Sequence, residues 1–184
     1  MGGWDKKRRV MQRYDLTANM YDTRYAEEQK AKFEAALKDL HVRLDDLILD
    51  VGCGTGLLFD YIARKAETIV GLDISRKLLF RANGHARKFQ NVHVVLADAD
   101  RMPFKNDSFH FVFAFTLIQN LPNPAETLKE IKRVAKREAS IVVTGLKKAF
   151  SLEIYQKLLQ NAGLRVVALQ DDALKCYVTI CRKI

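Results

Sequence analysis

The spacing of apolar positions changes along the chain and predicts an α/β fold. Before residue 47, apolar residues recur three and four positions apart with Lys and Glu between them, which predicts helix; they include Phe33, Ala36, Leu37 and Leu40. Beyond that point, short β-branched runs alternate with amphipathic stretches. The predicted strands span 47–52, 68–73, 92–98, 109–116, 140–146, 165–170 and 176–184, and the predicted helices span 57–66, 75–89, 124–136 and 150–162.

Strand and helix alternate as far as residue 162, which is typical of a doubly wound, mostly parallel sheet. Only the polar turn Asp171-Asp172 separates the last two strands, so they are predicted to form a hairpin with one C-terminal strand antiparallel. The predicted fold class is therefore α/β and Rossmann-like, with seven strands. The 184 residues form one predicted domain, in which the helical region 1–46 precedes a core of 47–184.

A glycine-rich loop follows the first predicted strand in the run LDVGCGTG, from Leu49 to Gly56. Glycine has no Cβ, so the backbone there can turn sharply and let a ligand lie against its amide groups. The loop sits between a strand and a helix N-terminus, where unsatisfied N–H groups meet anionic or polar groups. A phosphate-binding P-loop is excluded because no Gly-Lys-Ser/Thr follows, whereas a dinucleotide site and a ligand-free tight turn both stay open.

Acidic residues end three successive predicted strands, at Asp50, Asp73 and Asp98. Ligands of open α/β sheets bind at the carboxyl edge, where these acids are expected to meet. Asp73 lies about twenty residues beyond the loop, at the position from which a carboxylate accepts both hydroxyls of a ribose. The alternative is that each acid only caps the following helix.

These runs resemble the class I S-adenosylmethionine (SAM) dependent methyltransferases, and most of all the group that includes the ubiquinone and menaquinone biosynthesis enzymes. LDVGCGTG is similar to the first motif of the family, VGLDIS to the second and LADADRMPF to the adenine-side motif. FVFAFTLIQNLPNPAETLKEIKRVAK is similar to its fourth strand and following helix, and the resemblance runs from about Tyr14 to the C-terminus. It implies SAM as cofactor and S-adenosylhomocysteine as product.

The resemblance also implies a role for each residue of the glycine loop. Asp50 would orient the loop or reach the amino end of the cofactor through water, unless it merely caps the turn. Gly52, Gly54 and Gly56 would give backbone access to the methionine and ribose portions, with Cys53 between them.

At the adenosine end, Asp73 would bind the ribose hydroxyls and Ile74 would pack on the adenine face. Asp98 would accept a hydrogen bond from the exocyclic amine, while the Ala99 amide donates to the ring.

The N-terminal run YDLTANMYDTRYAEEQ resembles the segment that folds over the cofactor in relatives, so residues 1–46 are predicted to form a helical lid. Tyr21 and Tyr25 are its candidate cofactor contacts, ahead of Tyr14. Packing of these rings in an amphipathic core is the alternative. A lid would help because methyl transfer benefits from the exclusion of water.

The segment from Thr116 to Pro122 faces the methyl group in relatives, which makes Thr116 a cofactor contact and Gln119 and Asn120 the catalytic candidates. Methyl transfer from a sulfonium is an in-line displacement that requires alignment and no metal. Side-chain amides position a substrate but are poor bases, which favours a nitrogen nucleophile; alternatively, both amides only shape the loop. The segment has neither a cysteine nucleophile nor the Asp/Asn-Pro-Pro-aromatic signature of exocyclic amine methylation.

Composition adds one strong signal, a net charge of +9 with a pI near 9.5. Basic groups cluster in Lys6–Arg9, in Arg76–Lys88 and on the helix that carries Lys129. Such charge favours an anionic partner, nucleic acid first and a membrane surface second, although some basic proteins carry it without one defined patch.

The cysteines and the hydropathy of the sequence indicate the expected cellular compartment. Cys53, Cys176 and Cys181 show no metal-ligand spacing, so we expect small buried residues without disulfides and without a metal. No apolar run is long enough to cross a bilayer, and no secretory segment follows Asp5–Arg9. The expected location is the cytoplasm.

The leading hypothesis from the sequence is a SAM-dependent methyltransferase that modifies a base nitrogen of ribosomal or transfer RNA. It depends on the positive charge and on a core without inserted substrate domains. The first alternative is a methyltransferase for a quinone or another metabolite, which an apolar pocket beneath the lid would favour. The second is a SAM-binding accessory subunit without catalytic activity.

Overall fold

Strands and helices alternate along the chain in the predicted order. The computed structural model describes residues 3–17, 21–171 and 174–184. The strands are β1 (Leu47–Val51), β2 (Thr68–Asp73), β3 (Val92–Leu96), β4 (Phe109–Ala114), β5 (Ala135–Leu146), β6 (Leu164–Gln170) and β7 (Cys176–Lys183). The α-helices are α1 (Gly3–Thr17), α2 (Tyr21–Leu37), α3 (Phe59–Ile62), α4 (Arg76–Ala86), α5 (Pro124–Val134) and α6 (Leu152–Asn161), with 3₁₀ turns at Ala63–Lys65 and Ile118–Asn120.

The strands form one seven-stranded sheet in the order β3-β2-β1-β4-β5-β7-β6. β7 runs antiparallel to both of its neighbours, and the other pairings are parallel. The predicted class, a doubly wound sheet with one antiparallel C-terminal strand, is confirmed. Strand order reverses between β1 and β4, and the carboxyl ends of the strands open a crevice at such a point.

Strand β5 departs from the prediction, because it begins at Ala135 and not at residue 140. The charged run Lys136-Arg137-Glu138 resembles a continuing helix, but Ala135 is extended (φ −71°, ψ 137°) and pairs with Phe109 of β4. The pairing shifts register before Phe111 meets Ser140. A bulge therefore absorbs the residues that the sequence pattern assigns to the helix and its loop.

The helix predicted over 57–66 is shorter than expected. α3 ends at Ile62, whose backbone (φ −123°, ψ −15°) leaves the helical region, and a 3₁₀ turn follows. Ala66 is extended, which directs the chain into β2.

The N-terminal region 1–46 contains two helices with different surroundings. α2 belongs to the core: Phe33 and Ala36 are buried against Ile48, and the Phe33 ring lies 4.8 Å from that of Phe115. α1 lies across the carboxyl edge of the sheet, where the Lys6 Nζ donates to the Leu121 carbonyl at 2.6 Å. Of the two described helices of this region, α1 has the position of a cover over the crevice.

Candidate functional site

A cleft lies at the carboxyl ends of the central strands, beneath α1. Counted out to its open mouth, the cleft holds about 720 Å³ of empty space. Its wall is mostly apolar and contains nine of the residues singled out in the sequence: Tyr14, Gly52, Gly54, Asp73, Ile74, Asp98, Ala99, Thr116 and Asn120.

The glycine loop enters this cleft with a backbone that other residues adopt rarely. Gly52 and Gly54 have φ angles of +74° and +58°. The Gly52 amide donates to the Leu72 carbonyl at 2.7 Å, so the loop remains tied to β2. Gly56 (φ +83°) has a packing role, since a Cβ there would approach the Phe59 ring to 2.5 Å. Gly56 is not one of the described residues that line the cleft.

Asp73, at the end of β2, is held by backbone donors. Its carboxylate accepts from the Gly54 amide at 3.0 Å and from the Ser75 amide at 2.8 Å. Burial raises the pKa of Asp73 although these backbone hydrogen bonds oppose the shift. A carboxylate has about four acceptor positions, so acceptor capacity remains on the side that faces the cleft.

Asp98 is already engaged by a residue of α1. The Lys7 Nζ lies 2.7 Å from each oxygen of Asp98 and 2.5 Å from the carboxylate of Asp100. Burial by itself would lower the pKa of Lys7, but the hydrogen bonds to the two carboxylates and their negative charges together raise it. The acid assigned to the adenine amine therefore has a competing partner on α1.

A smaller cavity of about 320 Å³ lies on the other side of the glycine loop. Asp50 and Cys53 face it, together with Gln29 of α2. Asp50 is 3% exposed, and no hydrogen-bond donor among the described residues reaches its carboxyl group. Burial, and then the charge of Asp73, raise the pKa of Asp50 to about 8. This buried carboxyl group is suited to a cationic ligand group, which would stabilise its ionised form.

Thr116 links the cleft to a buried polar network from α2. It has a left-handed backbone (φ +55°), and its amide donates to the Thr144 hydroxyl at 2.7 Å. Its own hydroxyl accepts from the Gln29 amide at 3.1 Å and from the Lys32 Nζ at 3.0 Å. Lys32 is 1% exposed and pairs with Glu28 at 2.7 Å. These contacts fix a non-glycine residue in a conformation that it would rarely adopt alone.

Of the two catalytic candidates, Asn120 lines the cleft. Its Nδ2 donates to the Tyr14 hydroxyl at 3.1 Å, and its Oδ1 accepts from the Arg13 guanidinium at 3.0 Å. Burial raises the pKa of Tyr14, which also lines the cleft. The buried Oε1 of Gln119 has no hydrogen-bond partner in the described part of the chain, and Gln119 is not among the described residues that line the cleft.

The lid tyrosines are placed differently from the prediction. Tyr14, the less favoured candidate, lines the cleft, whereas Tyr25 of α2 is half-buried and does not line it in the described structure. The side chain of Tyr21 lies outside the described residues.

The residues of the site that the sequence analysis did not predict include Lys7 and Val10 of α1 and Lys32 of α2. Lys7 and Val10 line the cleft with Tyr14, so positions 7, 10 and 14 form one helical face. The spacing of positions 7, 10 and 14 can be read from the sequence and indicates that these residues share a face. No sequence pattern indicates the burial of Lys32, because an isolated lysine on a helix is usually exposed.

Other kinds of site receive no support. Among the described residues, no group of His, Cys, Asp and Glu could hold a metal ion. The three cysteines are buried and unpaired by disulfides. None of the described helices has the length and hydropathy needed to span a bilayer.

The methyltransferase domain family matches this chain over residues 49–143, just over half of its length. The malonyl-[acyl-carrier protein] O-methyltransferase of Marinomonas sp. (strain MWYL1) is 32% identical over 150 residues, covering 80% of this chain and 55% of that protein. The demethylmenaquinone methyltransferase of Staphylococcus haemolyticus (strain JCSC1435) is 31% identical over 137 residues, covering 72% of this chain and 56% of that protein. The crystal structure of the [4+2]-cyclase SpnF has a TM-score of 0.83 at 18% identity, covering 95% of this chain and 94% of that chain.

The chain belongs to the methyltransferase domain family, within the class I SAM-dependent methyltransferases. The predicted family and the predicted cofactor, SAM, are thereby confirmed. The chain spans about half the length of the curated relatives that it matches. At 18% identity, the likeness to a cyclase shows the shared fold.

Proposed function

We propose that this protein transfers the methyl group of SAM to a small, largely apolar acceptor that binds beneath α1. The proposal depends on one observation, which is that Asp50, Asp73 and Asp98 lie along two neighbouring cavities. Asp50 and Asp73 lie at the carboxyl ends of β1 and β2, and Asp98 follows β3 by two residues. The three acids border two cavities that share Gly52 and Gly54.

Each part of the cofactor would bind a different part of this site. Its ammonium group would pair with Asp50 in the smaller cavity, and its ribose hydroxyls would bind Asp73. The adenine would lie against Ile74 and Ala99, with its amine toward Asp98. This order follows the three acids across the sheet, as the ligand of an open α/β sheet does.

The apolar wall of the cleft supports a small-molecule acceptor. The cleft beneath α1 is lined by the apolar side chains of Val10, Phe115, Leu117 and Leu121. The sequence analysis predicts such a pocket for a methyltransferase that acts on a metabolite. The two relatives named above are methyltransferases of malonyl-[acyl-carrier protein] and of demethylmenaquinone. Both observations favour the alternative of a small-molecule acceptor over the RNA hypothesis.

The reaction would be an in-line displacement at the methyl carbon. A lone pair of the acceptor forms the new bond to carbon while the carbon–sulfur bond breaks and its electron pair returns to sulfur, leaving S-adenosylhomocysteine. The charge on sulfur is neutralised, so alignment and exclusion of water are the main tasks of the protein. Thr116 and Asn120 would align the acceptor from the β4 side. An acceptor that arrives protonated would lose its proton to solvent, because the side-chain amide of Asn120 is a poor base.

Calorimetric titration with SAM tests the first half of the proposal. Asp73→Ala removes the acceptor of two backbone bonds and of the ribose, so we expect a loss in affinity of about 100-fold or more, from roughly 1.5–3 kcal/mol for each hydrogen bond to a charged group. Asp60→Ala is the matched control, since Asp60 is an exposed acid of α3 that lies 3.7 Å from the Lys88 Nζ, outside both cavities. Equal affinities of the two variants would contradict the assignment of the cofactor site.

Transfer of labelled methyl groups tests the second half. The purified chain is supplied in parallel with a reduced naphthoquinone and with unmodified RNA. Label in the quinol supports the proposal, and label in RNA alone would restore the RNA hypothesis. SAM binding without transfer to either acceptor would favour the non-catalytic subunit.

A further inference from the structure

Two large apolar side chains stand in solvent where α1 meets α4. Phe80 of α4 is 82% exposed and Leu16 of α1 is 81% exposed. The two helices are joined beside them, because the Ser75 hydroxyl at the start of α4 donates to Asp15 at 2.5 Å. Isolated exposed apolar residues are common, but two on joined helices make a candidate contact surface.

The charged residues of this surface are basic. Arg76 and Lys77 are exposed on the turn of α4 that precedes Phe80, and Arg87 is exposed where the helix ends. The sequence has no acid between residues 74 and 97. We call this surface, formed by Leu16, Arg76, Lys77, Phe80 and Arg87, the α1–α4 face.

We infer that the α1–α4 face docks on an anionic lipid bilayer. Exposed Phe and Leu side chains among Arg and Lys residues suit the boundary between headgroups and acyl chains, which accommodates both kinds of side chain at once. Clusters of Lys and Arg on an amphipathic helix are attracted to anionic lipid headgroups. The phosphates of an RNA backbone would pair with the Arg and Lys side chains. RNA would, however, leave Phe80 and Leu16 without an equivalent apolar environment.

Docking through this face would place the cover of the cleft at the bilayer. α1 turns Lys7, Val10 and Tyr14 toward the cleft, while Leu16 lies at its solvent-exposed end. An apolar acceptor dissolved in the membrane would then reach the protein where α1 opens. This consequence rests on the proposed function, whereas the surface itself rests on exposure and charge.

Sedimentation of the full chain with vesicles tests the inference. One vesicle preparation is phosphatidylcholine alone, and the other is phosphatidylcholine mixed equally with phosphatidylglycerol. We expect binding to the mixed vesicles only, weakened by salt. Phe80→Ser and the double variant Arg76→Glu/Lys77→Glu should each weaken it at least tenfold. The matched controls are Ile154→Ser, whose apolar side chain is 60% exposed on α6, and the double variant Lys148→Glu/Lys157→Glu, which removes two exposed cations and changes the net charge by the same amount.

Three outcomes would overturn the inference: equal binding to both kinds of vesicle, equal losses in the control variants, and retention of RNA but not of mixed vesicles. The result is separable from the proposed function, because calorimetry with SAM uses no lipid. Phe80→Ser should bind SAM as the parent chain does. Failure of SAM binding together with intact vesicle binding would refute the proposed function alone.

Discussion

The Nζ of Lys7 lies 2.7 Å from both carboxylate oxygens of Asp98, so α1 holds the acid to which the sequence assigns the adenine amine. On the proposed placement of the cofactor, we expect this pair to separate or to rearrange toward Asp100 as SAM enters. Both side chains of the pair are mostly shielded, at 11% and 26% exposure, and salt screens such a contact less than it screens a surface pair.

Lys7→Met should therefore speed the association of SAM. Loss of a hydrogen bond to a charged group, about 1.5–3 kcal/mol, would accelerate opening by roughly tenfold or more. Stopped-flow fluorescence measures this directly, because Trp4 is the single tryptophan and lies 5.7 Å from the Lys7 Nζ. Lys105→Met, in an exposed loop, is the control, and an unchanged association rate in Lys7→Met would show that the pair does not gate entry.

SAM binding should release a proton from Asp50. The pKa of Asp50 is about 8 in the folded chain, so the carboxyl group is mostly protonated at pH 7 and ionises when the ammonium group of SAM pairs with it. Below that pKa, affinity should rise with pH by up to about tenfold per unit. Calorimetry at pH 7 in buffers of different ionisation enthalpy counts the protons. Asp50→Asn should abolish the release, and a parent chain that releases none would contradict this role.

The same group affects the stability of the ligand-free chain. Its folded pKa of about 8 lies above an unfolded value of about 3.9, so the folded state binds more protons between these values. The contribution of Asp50 is therefore fully present below about pH 4 and is lost as pH rises toward 8. Thermal melts of Asp50→Asn should show a smaller decline over this window than melts of the parent chain.

Gly56→Ala and Gly84→Ala should have opposite effects. Gly56 has a φ of +83° and no room beside Phe59, so alanine there should destabilise by about 2 kcal/mol or more. Gly84 lies inside α4 with nothing within 4 Å of a new Cβ, and alanine should stabilise by about 0.5–1 kcal/mol. Each kcal/mol corresponds to roughly 2–4 °C in melting temperature for a chain of this size. Equal shifts would contradict the strained geometry of the loop.

The Glu28–Lys32 pair should respond unequally to the loss of either partner. Lys32 is 1% exposed, so Glu28→Ala leaves an ammonium group buried beside Thr116, at a cost of about 3 kcal/mol. Lys32→Met leaves a carboxylate that water reaches, and it should cost less. Chemical denaturation compares the two variants; a larger loss in Lys32→Met would mean that Lys32 contributes mainly through packing of its stem.

The sequence was most informative where the physical cause is local. The φ angles that Gly52 and Gly54 adopt follow from the absence of a Cβ, and the position of Asp73 follows from the β-branched run before it. Periodicity also predicted the hairpin of β6 and β7, since no helix fits between them. The bulge at the start of β5 was not predictable in this way, because its register depends on Phe109 of another strand.

The N-terminal region shows most clearly which features could not be predicted from the sequence. Helical spacing predicted a helical region before residue 47. It did not predict that α1 and α2 have separate surroundings, with Phe33 in the core and Tyr14 in the cleft. Lys7 carries the same charge as the other lysines in the sequence. Its importance comes from two carboxylates that lie more than ninety residues away along the chain.

By itself, the sequence determined the order of the strands and helices, the glycine loop and the acids at three strand ends, because short-range sterics and side-chain alternation decide these features. The tertiary structure alone decided which groups are buried together. Burial gives Asp50 its raised pKa, holds Thr116 to Lys32 and brings Lys7 to Asp98. Solvation and pairing of charge depend on neighbours that are distant in the chain, and so they follow only from the folded arrangement.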